Sequence, residues 1–238
     1  MARVATAAAL ALALIACSSS GGPTAVEPAE GAATADAGFW RWFRAHAGEA
    51  ATIRQGSEPI MAKLAAELHR VDERLTVEVG GIASTAEPKE LIISAGGLRE
   101  VFPVVQRLVA AAPPIDGWRV IAFRPRKPGH RLQFRDREVG GEDLRFRIVS
   151  PPQAGRPLDI AVYLETPAVD ETSMHVVFLL LDFTLGEFDV ATQLGKIEIL
   201  PISQAPGDAR PLTELTAIVD GRKSAARSGA DQSASAAP

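Results

Sequence analysis

Apolar side chains recur along this chain at two spacings, three-to-four and two, and the switches between them mark out its elements. Phe39, Phe43 and Ala47 stand four apart and share one helix face, which predicts a helix opening at Phe39-Trp40-Arg41-Trp42-Phe43 and running to Ile53. Gly56-Ser57 breaks it. Ser57 and Pro59 suit the start of a second helix, with Ile60, Leu64 and Leu68 as its buried stripe. Leu75 to Val79 then alternates with period two and stops at Gly80-Gly81, and a second strand follows at Leu91 to Ser94. A helix over Leu98–Ala111 places Val101, Val105, Leu108 and Val109 inward, ends before Pro113-Pro114, and leads into a third strand at Trp118–Phe123.

The same order then returns. Leu144–Val149 alternates as a half-exposed strand closed by Pro151-Pro152, and Leu158–Leu164 forms the next strand. A helix runs from Met174 to Leu185, with Thr172 or Ser173 as N-cap and Gly186 ending it in the left-handed conformation. Ile197–Leu200 is the last strand. The pattern predicts an α+β protein of two similar β-β-α-β units, 38–126 and 140–220, preceded by N-terminal helices. At about 55 residues the repeated part of each unit is too small to stand alone, so the units are expected to share a core in a single domain, 38–220, as one sheet or two.

The ends follow a different grammar. Met1-Ala2-Arg3 and the apolar run Val4–Ala16 have the proportions of a signal peptide, well short of the roughly 20 residues of a spanning helix. Leu14-Ile15-Ala16 precedes Cys17, the sole cysteine, and this reads as a lipobox: cleavage before Cys17 and lipidation (diacylglyceryl, with palmitate as a typical acyl group) at its thiol. With no second cysteine there is no disulfide, and stability must come from burial. Residues 17–37 read as a disordered tether and 221–238 as a disordered tail, because both are poor in large apolar groups.

Charge adds one asymmetry. The formal net charge of −4 becomes −5 when Arg3 leaves with the leader, which offers no footprint for nucleic acid. From Arg119 to Arg147 nine basic residues face four acidic ones, a local +5; from Ile148 to Asp220 three face eleven, a local −8. Folding is expected to bring the signs together, the alternative being a basic patch for anionic lipid or polymer.

Four blocks carry a resemblance: Phe39-Trp40-Arg41-Trp42-Phe43, Glu90–Gly97, Trp118–Arg126 and Leu179–Val190. In this order they resemble an uncharacterised bacterial protein family of unknown function over most of Phe39–Pro201. The resemblance implies a fold module and no reaction. Where that family more usually carries Asp in the turn after the second strand, this chain has Gly96, so local side-chain capping there is lost.

The densest polar group is Asp182, Glu187 and Asp189 around Gly186. Three carboxylates could hold a hard cation, but the spacing is not that of a calcium loop, and capping is the plainer role. Carboxylates at a helix C-terminus need a cationic partner, and Arg124 and Arg126 are the candidates. His46, His69, His130 and His175 each stand alone, without metal-ligand spacing. Ser94-Ala95-Gly96-Gly97 could turn backbone N–H groups toward an anion, yet it lacks the residues of a phosphate loop or of a serine nucleophile elbow. Trp40 and Trp42 point about 200° apart, so one is expected in the core and the other at a surface.

No catalytic residue, cofactor or metal is assigned on these grounds. The expectation is a lipoprotein of the bacterial cell envelope, in the outer membrane facing the periplasm since Ser18 rather than Asp follows the cysteine. It would be held to the membrane by its N-terminal lipid, with an envelope protein or ligand as partner and no nucleic acid. The alternative is a hydrolytic or metal-assisted enzyme using the Asp182/Glu187/Asp189 turn with a histidine brought in by folding.

Overall fold

A computed structural model describes residues 30–53, 58–81, 88–150, 153 and 155–235. Cys17, the leader and the first part of the tether lie outside the described residues. The protein is α+β, with six helices and three sheets among them.

Helices α1 (Glu30–Ala50) and α2 (Pro59–His69) precede strands β1 (Thr76–Gly80) and β2 (Lys89–Ser94); a 3₁₀ turn then leads into α3 (Phe102–Ala110), and β3 (Trp118–Ala122) completes the first unit. β1 pairs antiparallel with β2 and β2 parallel with β3, in the order β1-β2-β3. The predicted α2 stripe is buried in full at Ile60, Leu64 and Leu68. Trp40 is the buried tryptophan, its Nε1–H donating to Leu108 O at 2.9 Å, while half-buried Trp42 stacks on His46.

The second unit repeats the plan after an inserted hairpin. Strands β4 (Arg131–Phe134) and β5 (Arg137–Gly140) pair with each other, turning at Arg135 with φ 56°. β6 (Arg145–Ile148) and β7 (Leu158–Leu164) are antiparallel; α4 (Glu171–Leu185) and α5 (Glu187–Gln193) lead to β8 (Leu194–Pro201), parallel to β7. β9 (Arg210–Pro211) adds to the free edge of β6, and α6 (Leu215–Ser235) closes the chain. The repeated strand-strand-helix-strand order is therefore real, and each copy forms its own sheet.

The apolar interior takes the form of two clusters, one per unit, where a single shared core was expected, because each sheet with its own helices already buries its apolar face. The first gathers Phe39, Phe43, Leu64, Leu91 and Leu108 around its sheet, and the second gathers Phe146, Val162, Leu180, Leu181 and Leu215. They meet along α5 of the second unit, where Ala191 packs against the first cluster and Phe188 lies 5.5 Å by ring centroids from both Phe102 and Phe123 of the first unit. Phe123 has φ 66°, an uncommon conformation for a bulky side chain. Ring contact with Phe102 at 4.5 Å and a hydrogen bond from its own N–H to Ile93 O hold it there.

Three expectations require correction. Residues 30–37, expected in a disordered tether, form the first turns of α1; the alanines favour helix, and Asp36, buried, takes two hydrogen bonds from Arg107 on α3. The tail from 221 is likewise helical, because Leu215 and Val219 seat α6 on the second core and charged residues farther along anchor it. The α4 N-cap is Asp170 rather than Thr172 or Ser173: its carboxylate accepts the N–H and the hydroxyl of Ser173 at 2.8 and 2.6 Å. Those bonds, with Arg135 behind them, hold Asp170 down at about 2.

Candidate functional site

Gly186 ends α4 as expected, with φ 85° but an extended ψ of 140° instead of the left-handed helical value. That combination is open to glycine and turns the chain so sharply that α5 starts at the next residue. Glu187 is thereby driven into the seam between the units, where it is fully buried. Its Oε1 accepts N–H groups from Ala95 at 2.9 Å and Gly97 at 3.1 Å, and its Oε2 accepts the N–H of Arg124 at 2.9 Å. The glycine turn after β2 does present N–H groups to an anion, and the anion is the protein's own carboxylate. Gly96 and Gly97 both have positive φ, and Ser94 Oγ accepts the Gly96 N–H, so the capping that an acidic side chain in the turn would give arrives from elsewhere.

Asp189 is also neutralised. Arg126 donates to it at 2.9 Å and Lys223 Nζ reaches both oxygens at 2.7 and 2.8 Å, while Arg126 also holds Asp220. The predicted meeting of basic strand end and acidic turn is present, with one difference. Arg124 meets Glu187 through its backbone, and its guanidinium goes to Glu78, to Asp182 at 3.2 Å and toward Thr76.

Asp182 is the exception among the three carboxylates. Burial pushes it up to about 7; the Arg124 cation pulls the other way, but Glu187 and Glu78 are also close. The Arg124 guanidinium is shared with Glu78, so it offsets only part of the cost of burying Asp182. It lies on the wall of a cleft of about 830 Å³ between the units. Four cleft residues come from one face of α4: His175, Phe178, Leu179 and Asp182 are spaced by three, four and seven. Opposite stand Gly96, Gly97 and Leu98 of the glycine turn, with Arg99 and Glu100, and β8 adds Leu194 and Ile197. Leu98 is 42% and Phe178 43% exposed, so apolar surface here is left to solvent.

Of the histidines only His175 reaches this cleft. His46 bonds Trp42 O, His69 bonds Leu75 O, and His130 sits edge-on to Phe183. Among the described residues no group of three His, Cys, Asp or Glu is placed to hold a metal ion. The basic segment 119–147 is largely neutralised inside the molecule: Arg119 pairs with Glu90, Arg131 with Glu142 and Asp143, Arg135 with Asp170, Arg137 with Glu165 and Arg147 with Asp208. Arg135, Arg137 and Arg147, with Arg124 and Arg126, join the two opposed segments as expected, whereas Arg119 and Arg131 find their acids elsewhere.

Sequence reasoning did not reach Glu78, Asp220 and Lys223, which complete the polar seam, nor the cleft residues Leu98, Arg99 and Phe178. Glu78 alternates outward on its strand like any solvated residue. Lys223 lies in a segment whose composition signals no core. His175, read from the sequence as standing alone, shares a face of α4 with Asp182 seven residues on, and what faces them comes from the other unit. No protein-family model, curated protein or solved structure matches this chain.

Proposed function

We propose that this chain is a non-catalytic binding protein of the bacterial cell envelope, anchored through lipid on Cys17, and that it takes its ligand in the cleft between the two units. The observation that carries the reading is the cleft's composition: solvent-exposed apolar walls at Leu98 and Phe178, with buried Asp182 and half-buried Arg124 paired in its lining. Such a site suits a small ligand with an apolar body and a hydrogen-bonding head, and its volume is in the usual range for ligand pockets. Glu187 and Asp189 support the non-catalytic side, because their oxygens are committed to backbone and cationic partners.

The test has two arms. Native mass spectrometry of the protein purified from membranes is expected to reveal a co-purifying small molecule, and Leu179→Trp, which fills the cleft from a half-buried position, is expected to remove it; equal occupancy in the variant would place the ligand elsewhere. Cys17→Ser is expected to abolish fatty-acid labelling, and unchanged membrane retention would remove the anchor.

One observation favours a second reading. A carboxyl that burial pushes up to about 7, in one cleft with a histidine two helical turns away, suits a general acid. If the chain is a hydrolase, the co-purified ligand is turned over by the native protein and bound unchanged by Asp182→Asn; absence of any product supports the binding reading.

A further inference from the structure

We infer that the groove between α6 and the segment leading into β7 binds a phosphate group carried by an anionic ligand, a site separate from the inter-unit cleft. This groove, of about 780 Å³, is lined by Arg156, Arg222, Lys223 and Arg227 together with Thr192 and Gln193. Its charge is its distinguishing property. The inter-unit cleft carries Glu100 and Asp182 among its cations, the hollow on α1 carries Asp36, that beside Phe183 carries Glu142, and that between α1 and α2 carries Glu67. The α6 groove has four cationic side chains and no carboxylate among the described residues of its lining, on a protein whose formal net charge is −4.

The pairing pattern sharpens the point. Lys223 shares Asp189 with Arg126, and Arg126 holds Asp220, so those two cations are balanced by two anions. Arg156 and Arg222 have no carboxylate partner among the described side chains, whereas Arg227 lies in the field of Asp220. Arg222 is held in place: its Nη2 donates to the carbonyls of Gln153 and Arg156, while its Nε finds no acceptor. A guanidinium fixed by two neutral carbonyls keeps its full charge and loses little further entropy on binding. Ala225 and Ala226, between the cations on α6, leave room for a ligand to approach the helix. Phosphate is the anion that several converging arginines recognise best, through paired charge-assisted hydrogen bonds, and the concave shape concentrates their field.

Calorimetry on the full chain in neutral detergent at low ionic strength tests this, with inorganic phosphate and with glycerophosphoglycerol, the soluble headgroup of phosphatidylglycerol, as probes. At least one probe is expected to bind, more weakly as salt rises. The double variant Arg156→Glu/Arg227→Glu alters exposed side chains that make no hydrogen bond or salt bridge among the described side chains, so it is expected to keep the native melting temperature and lose affinity by about tenfold or more. Tighter binding of glycerophosphoglycerol would identify a lipid headgroup as the source of the phosphate, and tighter binding of inorganic phosphate a free one; both support the site. No binding of either probe at millimolar concentration, or unchanged affinity in the double variant, overturns it.

Discussion

Glu187 and Asp182 stand five residues apart on either side of one glycine, both buried and both near Arg124, yet they belong to regions with opposite chemistry. In the seam, Glu187 meets three backbone N–H groups that cannot move away, and its charge is satisfied wherever the two units touch. In the cleft wall, Asp182 has one guanidinium, shared with Glu78, and burial dominates. The difference teaches that two buried carboxylates can have very different partners: this fold supplies three fixed N–H donors on one side of Gly186 and a single shared guanidinium on the other.

The largest way to break that contrast is to remove the seam acceptor. Glu187→Ala leaves the N–H groups of Ala95, Gly97 and Arg124 without their partner, and denaturant unfolding is expected to show a loss of about 5 kcal/mol. Glu187→Gln, which keeps one oxygen, should recover part of this; a loss below about 1 kcal/mol in the alanine variant would mean that the seam does not depend on the carboxylate.

Asp182→Asn probes the opposite case. Because Asp182 sits at about 7 in the folded protein against an ordinary 3.8, the native state holds its proton more tightly than the unfolded chain. Its contribution to stability is therefore complete below pH 4 and is lost as the pH rises through 7. The stability of the native protein relative to the Asn variant should fall by about 4 kcal/mol from pH 4 to pH 8. Urea titrations across that range measure it, and a difference that stays flat would show that Arg124 keeps Asp182 ionised throughout.

The smallest effects come from the glycines that shape the two regions. Gly186→Ala meets only ordinary contacts, with Arg126 Cγ at 3.6 Å and Arg124 O at 3.7 Å, but keeps φ at 85° with an extended ψ, so thermal melts should register a cost of about 2 kcal/mol. Gly96→Ala, with φ 59° and open space around the added carbon, should cost about 1 kcal/mol. A reversed order would place the tighter backbone constraint at the cleft rim.

Much of this architecture was legible in local pattern. Ile60, Leu64 and Leu68 announced α2, Leu158–Leu164 announced β7 residue for residue, and the repeated element order implied two similar units. Periodicity reports what each element hides, and these elements hide their apolar faces in the ordinary way. It could not report α6, whose alanine-rich sequence lacks a long apolar stripe and is held past Val219 by Lys223 on Asp189 and Arg222 on two carbonyls. The approach of Arg124 and Arg126 to the acidic turn followed from the demands of charge at a helix C-terminus. That Glu187 would take backbone N–H groups 63 to 92 residues away did not, because no side-chain pattern encodes where a distant main chain turns.

The three bonds of Glu187 also set an order on how the molecule can be completed. A chain emerging from its N-terminus can form both strands of the β2–β3 pair before residue 187 exists, but the N–H groups of Ala95, Gly97 and Arg124 then await an oxygen that only the other half brings. The leading half is thus a receptacle with its latch missing, and the trailing half delivers that latch on a single side chain.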